Sequence, residues 1–228
     1  MFGLDIEPFI LSFKLASLVT VILFVIALPL SWWLSQTRSK VKPFIEAIVS
    51  LPIVLPPSVL GFYILYALSY NSPIGAYFEN TFDIKLVFSF TGLVIASCFY
   101  SFPFMVQPLQ SGFESLNKNM IEASFLAGKS KIQTIFSVAL PNIKPALITG
   151  VIITFAHTVG EFGVVLMVGG SIPGETKVAS VAIYEMVEIM DYSMAHIYSA
   201  ILLLLSFSVL LSVYIFNQHH KHRIGVSS

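Results

Sequence analysis

The chain has 228 residues, of which 56% are hydrophobic and only 11% are charged, and its formal net charge is zero. Soluble domains carry about 25% charged residues, so this composition excludes a soluble globular protein. It indicates one polytopic membrane domain over residues 1–228. Because the chain has no clusters of Lys and Arg interleaved with aromatic residues, the sequence also argues against a nucleic-acid-binding role.

Five apolar runs are long enough to cross a bilayer, for which a helix needs about 20 residues. They predict an all-α fold with about five transmembrane helices. The runs lie at residues 9–34, 45–68, 86–109, 145–169 and 194–216. A further segment, 177–191, is apolar in places but short and interrupted by charges. It predicts an external interfacial or partly re-entrant helix, and a sixth, tilted span is the alternative.

Basic residues are distributed unevenly between the two sides of these spans. One side carries nine of them: Arg38, Lys40, Lys42, Lys118, Lys129, Lys131, Lys144, Lys221 and Arg223. The opposite side carries only Lys85 and Lys177, together with most of the acidic residues. Cytoplasmic loops are enriched in Lys and Arg, so we predict an N-terminus outside and a cytoplasmic C-terminus.

The second run contains three prolines, and two of them, Pro56 and Pro57, are followed by Ser58. Proline removes a backbone donor and breaks or kinks a helix, and broken helices at membrane depth are tolerated where they line a cavity. Pro56, Pro57 and Ser58 are therefore candidate residues of a translocation pathway. The alternative is that the prolines lie at the cytoplasmic end and only begin the helix.

The longest polar stretch, residues 110–144, lies on the predicted cytoplasmic side. We expect a short helix from Glu122 to Ala127, a turn at Gly128, and a second short helix that Pro141 stops. The alternative is a plain loop lying on the membrane surface. Gly128 begins a Gly-Lys-Ser triplet, but a phosphate-binding loop needs a glycine at position 123, which is alanine. We therefore expect this chain not to bind ATP itself.

In the fourth run, Gly150, Thr154, His157 and Glu161 share one helical face by their spacing. An ionisable residue at membrane depth suggests function. The alternative is a structural pair in which His157 and Glu161 satisfy each other at i,i+4.

One part of the cytoplasmic stretch resembles the EAA loop of ABC importer permeases. Glu122-Ala123-Ser124, Gly128 and Val138-Ala139-Leu140-Pro141 match its spacing, with Ser and Val as mild departures. The resemblance implies a type I importer permease whose loop 110–144 is a coupling helix that docks on a separate ATPase subunit. ATP and Mg would bind that partner, with no cofactor or metal in this chain. The implied coupling residues are Glu122, Ala123, Ser124, Gly128, Leu140 and Pro141.

Further stretches resemble the molybdate/tungstate branch of that family and its sulfate relatives. They are residues 51–61, Val159-Gly160-Glu161-Phe162-Gly163, and the glycine-rich segment 169–176. The resemblance implies a homodimeric inner-membrane permease that imports molybdate with an ATPase dimer and an extracytoplasmic binding protein. The implied pathway residues are Pro56, Pro57, Ser58, Thr154, His157, Gly160, Glu161 and Gly163.

Because a carboxylate would repel a dianion, we expect Glu161 to shape or gate the pathway rather than bind the substrate. Neutral donors suit the substrate better, and the candidates are Ser58, Ser97, Ser101 and Thr154. A sulfate or thiosulfate permease is the alternative within the family. A membrane-embedded enzyme or a secondary transporter is less consistent with the sequence, which shows neither paired membrane carboxylates nor internal repeats.

Overall fold

The computed structural model describes residues 4–223, and the side chains of residue 213 and of residues 216–223 lie outside that description. All regular structure in this part of the chain is helical. The helices are α1 (Glu7–Gln36), α2 (Lys42–Val54), α3 (Pro57–Leu68), α4 (Pro73–Phe82), α5 (Phe90–Glu114), α6 (Lys118–Leu126), α7 (Lys131–Thr134), a π-helical turn (Ile135–Ala139), α8 (Leu140–Asn142), α9 (Lys144–Gly160), α10 (Gly163–Gly169), α11 (Ala179–Glu188) and α12 (Tyr192–Arg223).

Three helices, α1, α5 and α12, are long and apolar enough to cross a membrane. Two bent pairs bring the number to as many as five. One pair is α2 with α3, bent by 111°, and the other joins the helical stretch Lys131–Asn142 to α9, bent by 80°. The predicted all-α fold with about five spans is therefore confirmed, but only three of the spans are single helices.

The break in the second run lies at the prolines. Helix α2 ends at Val54, and α3 begins at Pro57 in a new direction. Neither Pro56 nor Pro57 has an N–H to donate to the preceding turn. The prolines thus separate two helices of different direction, and because α3 begins at Pro57, the alternative that they begin a helix also fits the structure.

The fourth run is also interrupted, which its sequence does not predict. Helix α9 ends at Gly160, and α10 begins only at Gly163. Glu161 adopts an extended conformation, with φ −67° and ψ 131°. The expected single helix over 145–169 is therefore wrong, and the predicted helical face stops one residue before Glu161.

Helices α1, α5 and α9 form the centre of the fold, and small residues let α5 and α9 approach closely. A Cβ placed on Gly112 would lie 2.5 Å from the Cβ of Ala146, and one on Gly150 would lie 2.6 Å from the Cδ1 of Leu109. Close approach at small residues is typical of helix packing in membranes. This contact fixes the position of the polar residues described below.

Segment 177–191 folds as the ten-residue helix α11, which is about 15 Å long at the usual rise. That length is too short to cross a bilayer, so a sixth span there is not supported. Ala179, Val181 and Ala182 are buried against the neighbouring helices. Helix α4 is a further short helix that the sequence analysis missed, although Ser72 caps it and Pro73 is its first residue, both usual signals of a helix start.

Candidate translocation and coupling sites

The first candidate site is the coupling segment, residues 115–143, which runs from α6 to α8. Helix α5 continues to Glu114, so residues 110–114 belong to a span rather than to the loop. Helix α6 begins at Lys118, where the Asn117 side chain accepts a hydrogen bond from the Asn119 amide at 2.9 Å. Glu122 therefore lies in the middle of α6, and the expectation that it begins the helix is wrong.

The turn at Gly128 is confirmed. Its φ is +78°, a left-handed conformation that glycine adopts without steric cost. The Gly128 amide donates to the carbonyl of Phe125 at 2.9 Å, and the Lys129 amide donates to the carbonyl of Ser124 at 3.2 Å. No atom lies within 4 Å of the position that a Cβ would take, so the need for glycine is conformational rather than spatial.

Hydrogen bonds hold the two arms of the segment at a fixed angle. The buried hydroxyls of Ser124 and Thr134 lie 2.9 Å apart, which joins α6 to α7. Ser130 and Gln133 form a reciprocal capping box that begins α7. Lys129 donates to the Ser137 hydroxyl at 2.9 Å. Lys129 and Ser130 of the Gly-Lys-Ser triplet thus serve local structure.

The second arm is longer than expected. After α7 the chain makes a π-helical turn, Ile135–Ala139, and continues as α8 to Asn142, so Pro141 does not stop it. Pro141 is exposed and Leu140 is half-buried. The arm is held against the spans by a cluster of buried residues: Phe113, Ile121, Ala139 and Ile143.

The outer side of the coupling segment exposes large apolar side chains, which we name the apolar surface: Leu126, Ile132 and Phe136. Their exposed fractions are 90%, 68% and 64%. Large apolar side chains exposed to this extent are typical of surfaces that another protein or the membrane covers. Glu122, Ala123 and Gly128 are also exposed, whereas Ser124 is buried.

The second candidate site lies where two broken helices meet. A Cβ on Gly163, the first residue of α10, would lie 2.8 Å from the Cβ of Pro57, the first residue of α3. Pro56, Pro57 and Ser58 are all exposed at this bend, and Gly163 is half-buried. The structure therefore brings together two stretches that lie about a hundred residues apart in the sequence.

The third candidate site, which we name the polar seam, lies between α5 and α9. Its members are Ser97, Ser101, Thr154, His157, Thr158 and Glu161. The Ser101 hydroxyl lies 2.9 Å from the Thr158 hydroxyl and 3.0 Å from Nδ1 of His157. The rings of Phe104 and Tyr100 lie against the His157 ring, at 3.9 and 4.9 Å between centroids. At this end of the seam the polar side chains are therefore held by hydrogen bonds and ring contacts.

The other end of the seam contains buried polar atoms that have no partner. Glu161 is 3% exposed, and neither of its carboxyl oxygens has a hydrogen-bond partner among the described residues. The Ser97 hydroxyl faces this carboxyl group but lies outside hydrogen-bond geometry, and the Thr154 hydroxyl is also unpartnered. The ion pairs of the described residues are Lys42–Glu46, Lys42–Glu114 and Lys177–Glu185.

His157 and Glu161 do not bond to each other, so the alternative of a structural pair is wrong. His157 turns to Ser101, and Glu161 leaves the helix altogether. The Glu161 carbonyl accepts a hydrogen bond from the Ser180 hydroxyl at 2.6 Å, which joins this break to α11. Ser180 and Thr158 were missed by sequence reasoning, although a threonine four residues after Thr154 lies on the same helical face.

The predicted pathway residues thus fall into two groups. Pro56, Pro57, Ser58 and Gly160 are exposed at the bends. Thr154 and Glu161 are buried in the seam, and His157 and Gly163 are half-buried. In this conformation only the first group presents a surface that a passing ligand would meet.

The glycine-rich segment 169–176 is a tight turn organised by Thr176. The Thr176 hydroxyl donates to the carbonyl of Gly169 at 2.7 Å and accepts from the amide of Ile172 at 2.9 Å. Gly170 and Gly174 have φ of +63° and +77°, which favours glycine at both. This segment therefore positions α10 relative to α11.

Residues 27–226 match the family described as binding-protein-dependent transport system inner membrane component. The chain belongs to this permease family. Among its relatives, it is 46% identical over 210 residues to the molybdenum transport system permease protein ModB of Azotobacter vinelandii, covering 92% of this chain and 93% of that protein. A probable sulfate transport system permease of Chlorella vulgaris is 32% identical, over 96% of this chain and 82% of that protein.

The fold of the permease is that of solved ABC importers. It superposes on a chain of the inward-facing MetNI methionine ABC transporter with a TM-score of 0.75, covering 94% of each chain at 17% identity. At that identity the likeness concerns the fold alone. The expectation of a type I importer permease fold is confirmed.

Proposed function

We propose that this permease is the membrane-spanning subunit of an ATP-driven importer of molybdate. The observation that carries the proposal is the 46% identity, over nearly the full length of both chains, to a molybdenum transport permease. A sulfate permease matches at 32%, which makes sulfate or thiosulfate the second candidate substrate.

The coupling segment supplies the contact with the ATPase in this proposal. Its apolar surface is exposed, and its two arms are joined by the Ser124–Thr134 contact and the Gly128 turn. Leu126 is 90% exposed, and covering it with the ATPase would remove apolar area from water and stabilise the complex. ATP and Mg bind the ATPase partner, and this chain performs no catalysis.

Two copies of the permease form the pathway around a two-fold axis, and an extracytoplasmic binding protein delivers the anion. The exposed bend at Pro56, Pro57 and Ser58 lines the pathway in each copy. Ser58 offers a neutral hydroxyl in the first turn of α3, and the N-terminal end of a helix favours an anion. Ser97, Ser101 and Thr154 are buried in this conformation, so they reach the substrate only if α5 and α9 separate.

Glu161 acts as a gate element rather than as a ligand. It lies at the break between α9 and α10, and its carboxyl group has no partner among the described residues. Buried polar groups without partners cost free energy. A conformation in which Glu161 finds partners is therefore favoured in another step of the transport cycle.

The direct test is ATP-driven uptake and ATPase activity of the reconstituted complex, measured with binding protein loaded with molybdate, tungstate or sulfate in turn. Molybdate and tungstate should stimulate both activities. Stimulation by sulfate alone would replace the proposed substrate with the second candidate. Absence of ATP-dependent uptake of all three anions would contradict the importer itself.

The proposed orientation places the N-terminus outside and the coupling segment in the cytoplasm. A cysteine at position 79 or 175 should react with an impermeant thiol reagent added from outside, whereas one at position 118 should not. Cys98 is the only native cysteine and is replaced by alanine in the parental protein for this experiment. Labelling of position 118 from outside would reverse the orientation and separate the coupling segment from any cytoplasmic ATPase.

A further inference from the structure

Two adjoining cavities lie between the end of α1 and helix α6. Their volumes are about 340 and 380 Å³, and both are lined by Gln36, Thr37, Ile121 and Phe125. They belong to neither the apolar surface nor the polar seam. Each is large enough for a small organic group, and their walls differ in chemistry.

One cavity is aromatic and apolar, with Trp32 and Trp33 in its wall. Tryptophan is enriched at the depth of the lipid headgroups, where its ring meets both apolar and polar surroundings. Trp32 packs edge-on against Phe113 at 5.2 Å between ring centroids, and Trp33 is 41% exposed. The tryptophans therefore place this pair of cavities at the membrane interface.

The walls also carry an excess of positive charge. Arg38 and Lys118 line one cavity and Lys131 lines the other, and none of them takes part in an ion pair of the described residues. Of the two acidic residues in the walls, Glu114 is bound to Lys42 at 2.9 Å. Glu122 alone remains to balance three cations.

We propose that these cavities bind the headgroup of an anionic phospholipid. Basic pockets at the cytoplasmic side of transmembrane helices bind acidic headgroups, and the proposal rests on the proposed orientation, which puts this end of α1 in the cytoplasm. Arg38, Lys118 and Lys131 hold the phosphate, and the two tryptophans contact the upper acyl chains. A lipid bound here touches α1 and α6 together and links the bilayer to the coupling segment.

Trp32 and Trp33 are the only tryptophans of the chain, so intrinsic fluorescence reports on this place alone. The full chain is placed in phosphatidylcholine vesicles that contain brominated phosphatidylglycerol or, at equal fraction, brominated phosphatidylcholine. The brominated anionic lipid should quench the fluorescence more strongly. The joint variant Arg38→Gln, Lys118→Gln, Lys131→Gln should lose this preference. Each cation that is removed should lower the affinity for the anionic lipid about fivefold.

Compared with the double variant Arg38→Gln, Lys118→Gln, the matched control removes two cations from the same side but outside the cavities, as Lys40→Gln and Lys144→Gln. It should keep the preference. If the triple cavity variant fails to insert, Lys131→Gln alone should lower the preference about fivefold. Equal quenching by both lipids, or equal loss in the control, would overturn the proposal.

A second measurement tests whether a lipid or a protein partner occupies the cavities. A tryptophan-free variant of the ATPase subunit is added to the vesicles, and the excess quenching should persist. Its disappearance would assign the cavities to the ATPase contact and overturn the proposal. Because the readout is tryptophan fluorescence, failure of ATP-driven uptake would leave the lipid result readable.

Discussion

The coupling segment and the polar seam differ in whether their buried polar groups have hydrogen-bond partners. In the coupling segment the buried hydroxyls of Ser124 and Thr134 pair with each other, while Leu126 and Ile132 are exposed. In the seam, the carboxyl of Glu161 and the hydroxyl of Thr154 are buried without partners. In the coupling segment the buried polar groups are hydrogen-bonded and apolar side chains are exposed, as in a docking surface. In the seam, buried polar groups have no hydrogen-bond partner, as expected of a region that changes its contacts.

The largest effect is expected at the Gly128 turn of the coupling segment. Gly128→Val should weaken ATPase binding and ATP-driven uptake by about thirtyfold, because a β-branched residue at φ +78° is strongly disfavoured. The strain costs roughly 1 to 2 kcal/mol and changes the angle between the two arms. Pull-down of the ATPase and uptake are measured together. Gly128→Asn, which tolerates this conformation better, should retain part of both activities.

Replacing the most exposed apolar side chain tests the outer face of the segment. Leu126→Glu should weaken ATPase binding by about tenfold or more, since it removes about 1.5 to 3 kcal/mol of apolar burial from the interface. The chain should still insert and dimerise, because Leu126 supports nothing within the permease. Titration of the ATPase onto reconstituted permease measures the effect. Asn119→Glu, on the same helix at an already polar position, is the control and should bind normally.

The seam is tested by Glu161→Gln, which keeps size and removes the charge. Because neither carboxyl oxygen has a partner, the variant should assemble normally. Its uptake should fall by roughly tenfold, the size of one hydrogen bond to a charged group made in another conformation. Uptake per assembled complex is the measurement. A variant that no longer assembles in the membrane would show that Glu161 is structural.

The smallest expected effect concerns the hydrogen bond that joins α6 to α7. Thr134→Val leaves the buried Ser124 hydroxyl without its partner, which should cost about 1 kcal/mol. The coupling segment should then exchange its amide hydrogens faster, while the spans remain protected. Hydrogen exchange on the two regions compares them directly. Replacing both residues, as Ser124→Ala with Thr134→Val, should restore part of the protection, since no unpaired hydroxyl remains.

The sequence predicts a structural feature where a single residue type determines the backbone conformation. Pro56 and Pro57 break a helix because they lack a donor, and Gly128 turns because other residues resist positive φ. The break at Glu161 has no such residue, and it depends on Ser180 and α10, which lie elsewhere in the chain. The spacing of the residues therefore predicts that Glu161 lies on a helical face, whereas the helix ends one residue before it. The start of α6 was also misplaced, because Asn117 is one of several polar residues able to cap it.

The contact between Pro57 and Gly163 restricts how the two bends can move. With 2.8 Å between a Cβ on Gly163 and the Cβ of Pro57, and 2.9 Å between one on Gly61 and the Cβ of Met167, α3 and α10 fit together at two separate points. These two close approaches oppose independent rotation of the two half-helices. We therefore expect α3 and α10 to move together, so that a displacement of α10 at the α9 break also displaces the exposed bend at Ser58.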